Sequence, residues 1–294
     1  MNINADEIIV AQNLVKKYDG NHVIDDVSLF VKNNSITGVI GKDKSGKTTL
    51  LKLLAGFLPK SHGKIQVFGE NPKDNINVLS KIIYIDSAVR YDKWLRLFDI
   101  MKNYKTMYPA FDFETTEKML EHYELDVKTK YSDIPSEIVN IINFIFAISS
   151  RAPITIFDRP FTGMSTTVKR WIYDTILKEH NKNQNTIIIS DNSFADIGDI
   201  ISQVIIINNG KLLFNQSMIN FKKSACTLIG DNAEVNSFIK GKKVIWKKQL
   251  QKNISVVVHE IFDETSIKMA KSAGLRISGV RPDNLFEYLM AVSN

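Results

Sequence analysis

A phosphate-binding loop constrains this chain more than any other feature of its sequence. Eight successive residues match the pattern G-x-x-x-x-G-K-[ST], namely Gly41, Lys42, Asp43, Lys44, Ser45, Gly46, Lys47 and Thr48. Residues 35–40 predict a short buried strand before the loop, and residues 49–55 predict a helix directly after it, which is the context that the loop requires. The chain is therefore expected to fold as an α/β nucleotide-binding protein.

The residue types in the loop suit a bound triphosphate. Backbone N–H groups around residues 45–48 would form an anion cradle at a helix N-terminus, where unpaired donors and the helix dipole both favour phosphate. Lys47 is expected to reach the terminal phosphates, and the Thr48 hydroxyl to coordinate Mg²⁺, with Thr49 completing the loop. Lys44 stands where a small residue is common, so a positive φ there would cost about 1 kcal/mol or more.

Alternating strand and helix patterns extend this core along the chain. Strands are predicted near residues 8–15, 22–32, 35–40, 64–67, 82–85, 154–158, 186–190 and 204–208. Shorter pieces follow, with strands near 225–229, 243–246 and 254–259 and helices near 265–273 and 282–289. We predict a main domain over residues 1–221, with a helical subdomain at about 93–151, and a small accessory α+β domain over 222–294.

The order of these segments resembles the ATP-binding subunit of ABC transporters over about the first three quarters of the chain. Residues 91–94, 108–112 and 149–158 are most similar to small exporter subunits of the YtrB-like type of Gram-positive bacteria. The resemblance implies a P-loop NTPase fold with a RecA-like core, an antiparallel β-subdomain and a helical subdomain, and it implies ATP and Mg²⁺ as cofactors. Tyr18 lies where that family stacks an aromatic ring on adenine; an exposed tyrosine at a strand end is the alternative.

Groups that this family uses for hydrolysis are replaced in this sequence. Asp158 matches the aspartate that holds a water on Mg²⁺, so Thr48 and Asp158 are the predicted metal residues. The next position normally carries the glutamate that orients the attacking water, but here it is Arg159, which cannot accept a proton. Asn192 stands at the position of the switch histidine, and Ser87 at that of the glutamine that senses the γ-phosphate.

The segment that clamps a partner's nucleotide in this family is also altered. Residues 134–138 stand where Leu-Ser-x-Gly-x is expected, with Pro135 and Glu137 in place of the serine and glycine. Alternatively, Ser136 simply caps the helix that follows. Residues 161–165, a loop that usually ends in aspartate, end in Ser165. We therefore predict no catalytic residue in this chain, only ATP binding with impaired or absent hydrolysis at its own site.

The resemblance also implies partners and a location. We expect an ABC transmembrane subunit and a second nucleotide-binding subunit, in a homodimer or a heterodimer, at the cytoplasmic face of the membrane. An apolar stripe follows the Ser87 loop and forms either the docking groove for the membrane subunit or part of the core. Its residues are Trp94, Leu95, Leu97, Phe98, Ile100 and Met101.

Composition adds weaker constraints. Residues 1–7 lack the pattern of a signal peptide, and the longest apolar stretch, residues 141–148, is too short to span a membrane. Cys226 is the only cysteine, which excludes an internal disulfide and a multi-thiolate metal site. The net charge of +6 favours anionic partners, although the lysine run at residues 240–248 forms either a solvated face or a binding patch.

Two alternative functions remain open. One is a non-hydrolysing, ATP-sensing scaffold that regulates a partner without taking part in transport. The other is a soluble ABC-type factor acting on nucleic acid or ribosomes, although no DNA partner is expected. An exporter subunit that binds ATP is the leading hypothesis, with a peptide, lipid-like or drug-like substrate.

Overall fold

The computed structural model describes residues 6–161 and 163–292, which fall into two compact units. The first unit comprises residues up to 192 together with 199–215, and the second comprises 193–198 and the chain from 216 onward. The strands are β1 Glu7–Tyr18, β2 Asn21–Lys32, β3 Ile36–Ile40, β4 His62–Val67, β5 Ile82–Asp86, β6 Ile154–Asp158, β7 Thr186–Asp191, β8 Gln203–Asn208, β9 Lys211–Ser217, β10 Cys226–Asp231, β11 Val244–Leu250, β12 Asn253–Val258 and β13 Arg276–Gly279. The helices are α1 Lys47–Leu54, α2 Ile76–Leu79, α3 Leu97–Met107, α4 Phe113–Glu121, α5 Ser136–Ser149, α6 Thr166–Asn183, α7 Met218–Lys223, α8 Asn232–Phe238, α9 Glu264–Ser272 and α10 Pro282–Val292, with a 3₁₀ turn at Tyr131–Asp133.

A six-stranded sheet in the order β5-β6-β7-β3-β8-β9 is the centre of the first unit. Strands β5, β6, β7, β3 and β8 pair in parallel, and their short apolar sequences are almost fully buried, as is typical of a sheet covered on both faces. Their carboxyl ends lie along one edge of the sheet. The loops after β3, β6 and β7 therefore come together at that edge, and they carry the predicted site.

A second, antiparallel sheet in the order β2-β1-β4 packs with α1 in one core. Four leucines of α1 are fully buried in this core, at positions 50, 51, 53 and 54. This packing fixes the helix that follows the phosphate-binding loop. The expected α/β fold with an antiparallel β-subdomain is thus present, and all of the strands predicted in the main domain were found, within a few residues of their predicted bounds.

Helices α3, α4 and α5 lie within the predicted helical segment at 93–151. Their interior is aromatic: Tyr104 contacts the rings of Tyr91, Tyr108, Phe111 and Phe146. The strongly apolar residues 141–148 are buried along α5, as the sequence indicated. None of the described helices is both long and apolar enough to cross a membrane.

The apolar stripe after the Ser87 loop divides between the two roles that the sequence left open. Leu97, Ile100 and Met101 are buried in the core, whereas Trp94 is 72% exposed and Phe98 is also exposed. Phe98 packs against Phe113 in a tilted arrangement, with their ring centroids 6.2 Å apart. The stripe therefore contributes to the core on one side and presents an aromatic surface on the other.

The second unit is built around a four-stranded antiparallel sheet in the order β11-β12-β10-β13. With α8 between β10 and β11 and α9 between β12 and β13, this is the split βαββαβ arrangement. Val235 of α8 and Ala270 of α9 pack on one face of the sheet with Leu228 and Val256. The small C-terminal α+β unit expected from the sequence is present.

Several details differ from the sequence-based expectations. Ser136 does not cap α5, because it is the first helical residue and Pro135 occupies the N-cap position without a side-chain bond. Strands β9 and β13 and helix α8 were not predicted. The boundary predicted at residue 221 stays a prediction; the second compact unit also takes in residues 193–198 and 216–221. Residues 1–5, on which most of the signal-peptide expectation rests, and Thr162 of the 161–165 loop lie outside the described residues.

Candidate functional site

The phosphate-binding loop turns tightly between β3 and α1. Gly46 has a φ of 103° at the N-cap of α1, and a Cβ there would lie 2.9 Å from the carbonyl oxygen of Val23. At Gly41, a Cβ would lie 2.4 Å from the carbonyl oxygen of Ile207. The loop is thus held closely by β2 and β8, and only glycine fits at these two positions. Lys44 has a φ of 62°, so the strain anticipated for a non-glycine residue is present.

Lys47 lies inside the loop. Its Nζ donates to the backbone oxygens of Gly41 at 2.5 Å and Lys42 at 2.9 Å, and the residue is 4% exposed. Burial, with the neighbouring Arg159 guanidinium, lowers the pKa of Lys47 to about 8, against the opposing effect of Asp43, Asp158 and Asp191. A phosphate group bound at the amine would add negative charge at close range and stabilise the protonated form, so this lysine is suited to bind an anion.

Asp158 ends β6 with both carboxylate oxygens held by hydroxyl groups. The hydroxyl of Tyr84 donates to Oδ2 at 2.8 Å, and that of Ser190 donates to Oδ1 at 2.6 Å. Burial and the adjacent carboxylate raise the pKa of Tyr84 well above its usual value, so this hydroxyl remains a donor. Each carboxylate oxygen keeps a second lone pair, which leaves Asp158 able to accept a bond from a metal-bound water.

Asp43 connects the loops that follow β3, β6 and β7. Its Oδ1 lies 3.1 Å from Nη1 of Arg159 and accepts a hydrogen bond of 3.1 Å from Nδ2 of Asn192. The backbone N–H of Arg159 donates to the Ser190 hydroxyl at 3.0 Å, and Arg159 has a φ of 52°. The residues found at the glutamate and histidine positions therefore both bind a carboxylate of the phosphate-binding loop.

The remaining predicted site residues are dispersed around this centre. Thr48 is exposed in the first turn of α1, and Thr49 beside it is half-buried. Tyr18 is exposed at the end of β1, where Lys16 Nζ lies 4.7 Å from the ring centroid. Ser87 is exposed in the segment after β5. Its backbone oxygen accepts a hydrogen bond from Nη1 of Arg90.

The donor set fits a magnesium triphosphate. An amine at Lys47, an accessible hydroxyl at Thr48 and a carboxylate at Asp158 lie at the carboxyl edge of the parallel sheet, after β3 and at the end of β6, with Lys47 and Thr48 at a helix N-terminus. These are the groups that a phosphate chain and its Mg²⁺ require. The ligand residues stay a prediction.

Sequence reasoning missed Tyr84, Ser190 and the role of Asp43. Ser190 faces Asp158 across the β6–β7 pairing, and Tyr84 lies on β5, on the other side of β6. Alternation along these strands could have indicated both hydroxyls once the strand order was known. The bonds of Asp43 depend on loop conformations, which carried no signal in the sequence.

Comparison with known proteins agrees with this geometry. Residues 24–162 match the family model described as ABC transporter. The chain is 26% identical over 200 residues to the ABC transporter ATP-binding protein YtrB of Bacillus subtilis, covering 67% of this chain and 68% of that protein. It is 25% identical over 209 residues to the bacitracin transport ATP-binding protein BcrA of Enterococcus faecalis, covering 70% and 68%. A solved ATP-binding subunit of an ABC transporter superposes with a TM-score of 0.65 at 18% identity, covering 73% of this chain and 92% of that one.

Proposed function

We propose that this chain, which carries an ABC transporter ATP-binding domain, binds Mg²⁺-ATP and closes against a second nucleotide-binding subunit without hydrolysing ATP at its own site. The observation that carries the proposal is the position of Arg159. It follows Asp158 directly, at the end of β6, and pairs with Asp43 of the phosphate-binding loop. A guanidinium there can hold a phosphate oxygen but cannot take a proton from water.

The expected loss of rate is large. Removing a general base or a positioned water commonly costs about 10² to 10⁴ in rate, and groups that act as a unit fail together. Asn192 cannot carry a proton, and Ser87 is too short to reach as far as a glutamine. The three carboxylates that act on Lys47 all have partners: Asp43 pairs with Arg159, Asp158 accepts from two hydroxyls, and Asp191 accepts from the backbone N–H of Asn192.

Exposed aromatic residues support a membrane partner. Trp94 and Phe98 lie on the surface of the helical segment, next to the loop that carries Ser87. An exposed tryptophan beside a second aromatic ring is typical of a protein-binding surface. We infer that a transmembrane subunit docks there, which places the chain at the cytoplasmic face of the membrane.

The names of two relatives support a transport role and a class of substrate. BcrA is named as a bacitracin transport ATP-binding protein, and YtrB as an ABC transporter ATP-binding protein. We infer an export role for this chain, with a peptide, lipid-like or drug-like molecule as the substrate.

The test combines calorimetry and turnover on the purified 294-residue chain. We expect Mg²⁺-ATP to bind and Lys47→Ala to abolish that binding, because the mutation removes the only cation that the loop buries among the described residues. Steady-state phosphate release should be the same for the wild type and for Lys47→Ala. Turnover by the wild type that Lys47→Ala removes would contradict the proposal.

A second measurement separates the transport role from the regulatory scaffold. The tagged chain is expressed with its native partners and purified after detergent extraction of membranes. Co-purification of a multi-span protein, lost in a Trp94→Ala, Phe98→Ala double variant, supports the transport subunit. Recovery of the chain only with non-membrane partners supports the regulatory scaffold instead. Co-purified nucleic acid supports the ABC-type factor that acts on nucleic acid or ribosomes.

A further inference from the structure

The phosphate-binding loop carries an anion of its own at the edge where a terminal phosphate would lie. Asp43 Oδ1 is held by Arg159 Nη1 and by Asn192 Nδ2, each at 3.1 Å. The three residues come from the loops after β3, β6 and β7, which are neighbours in the sheet order β6-β7-β3. We call these three residues the Asp43 clasp.

The clasp lies at the mouth of the site. The side chain of Asp43 is 66% exposed and that of Arg159 is 43% exposed, so the pair is open to solvent and can exchange partners. It is also close to the phosphate-binding amine, since Lys47 Nζ donates at 2.9 Å to the backbone oxygen of Lys42, the residue before Asp43. A charge placed at the clasp therefore acts on a phosphate bound at Lys47.

A carboxylate oxygen and a terminal phosphate oxygen present the same chemistry to Arg159 and Asn192. Both are anionic acceptors that bind a guanidinium or an amide N–H. The loop backbone would cradle the inner phosphates, whereas the terminal phosphate would lie at Lys47, toward the mouth of the site where the clasp stands. Only the triphosphate therefore meets the clasp directly.

We propose that Asp43 is a specificity-determining residue that competes with the terminal phosphate for Arg159 and Asn192, and so reduces the preference of this site for ATP over ADP. The inference rests on the proposed function. Arg159 is then shared between an internal anion and the nucleotide, and the γ-phosphate must displace the carboxylate. The affinities of such a site for ATP and ADP differ less than those of a site without the carboxylate.

The test is the isosteric variant Asp43→Asn, which keeps the acceptor oxygen for Asn192 and removes only the charge. Dissociation constants for Mg²⁺-ATP and Mg²⁺-ADP are measured by calorimetry on the 294-residue chain. We expect ATP to bind more tightly by on the order of tenfold, with less than about threefold change for ADP. The matched control is Asp74→Asn, an exposed aspartate paired with Lys73, which should change neither constant.

Removing the charge at the partner position, Arg159, gives an independent readout. Arg159→Gln leaves the charge of Asp43 uncompensated, so the affinity for ATP should fall more than the affinity for ADP. The double variant, Asp43→Asn with Arg159→Gln, should return the ratio of the two dissociation constants toward the wild-type value. The ATP-over-ADP preference is expected to rank Asp43→Asn first, then the wild type and the double variant together, then Arg159→Gln. Circular dichroism checks that each variant is folded.

The outcomes distinguish this inference from the proposed function. Wild-type ATP binding with a ratio unchanged within about twofold in Asp43→Asn overturns the role of Asp43 alone. A rank order that does not follow the charge at positions 43 and 159 does the same. Failure of the wild type to bind either nucleotide overturns the proposed function, and this inference with it.

Discussion

Raising the pH above 8 should weaken ATP binding, because Lys47 loses its proton there. Burial beside Arg159 lowers the pKa of this amine from 10.5 to about 8 in the free protein. A bound phosphate chain stabilises the charged form and returns the pKa toward its usual value. Binding therefore takes up a proton above pH 8, and the dissociation constant should rise about tenfold between pH 7 and 9 and about thirtyfold by pH 9.5.

The assay is calorimetric titration of Mg²⁺-ATP at pH 7, 8, 9 and 9.5 and constant ionic strength. The matched control is Lys47→Arg, whose guanidinium keeps its charge over this range, so its affinity should not depend on pH. Wild-type affinities that agree within about twofold at pH 7 and 9 would refute the reasoning. An equal slope in Lys47→Arg would assign the effect to another group.

The same shift predicts how stability depends on pH without nucleotide. The pKa of Lys47 is lower in the folded state than in the unfolded chain, so the unfolded state binds more protons between about pH 8 and 10.5. Below pH 8 Lys47 is protonated in both states, so the full cost of burying its charge is subtracted from the free energy of unfolding. The free energy of unfolding should therefore rise as the pH increases through this window, and urea titrations of Lys47→Met should lack that rise.

Two further substitutions test the local geometry. Tyr84→Phe removes one of the hydroxyls that hold Asp158, so the Mg²⁺ concentration that half-saturates ATP binding should rise about fivefold. Tyr131→Phe, which removes a buried hydroxyl without a hydrogen-bond partner among the described residues, should leave it unchanged. Lys44→Gly should raise the free energy of unfolding by about 0.5–1 kcal/mol in urea titrations, because the left-handed backbone costs a lysine more than glycine loses in chain entropy. Lys42→Gly, in the same loop but without a positive φ, should lower it, and equal effects would refute the argument.

The predicted strands and the phosphate-binding loop were accessible from the sequence because local chemistry determines them. The apolar runs of β3, β6, β7 and β8 are too continuous for half-exposed strands and are typical of a sheet covered on both faces. Gly41 and Gly46 lie so close to neighbouring backbone oxygens that no Cβ fits, and Gly46 also has a left-handed backbone conformation. The sequence did not decide which residues of the apolar stripe after the Ser87 loop are buried. Helical spacing alone does not determine which neighbouring element covers a given face of a helix.

By itself, the sequence determined the fold class, the place of the phosphate-binding loop and the loss of the groups at positions 159 and 192. Only the tertiary structure decided what the replacements do. The bonds from Tyr84 and Ser190 to Asp158, and the pairing of Asp43 with Arg159, join residues at least 32 positions apart through strand order and loop conformation. A residue's type fixes which bonds it can make, but the packing of neighbouring strands fixes which partner it meets.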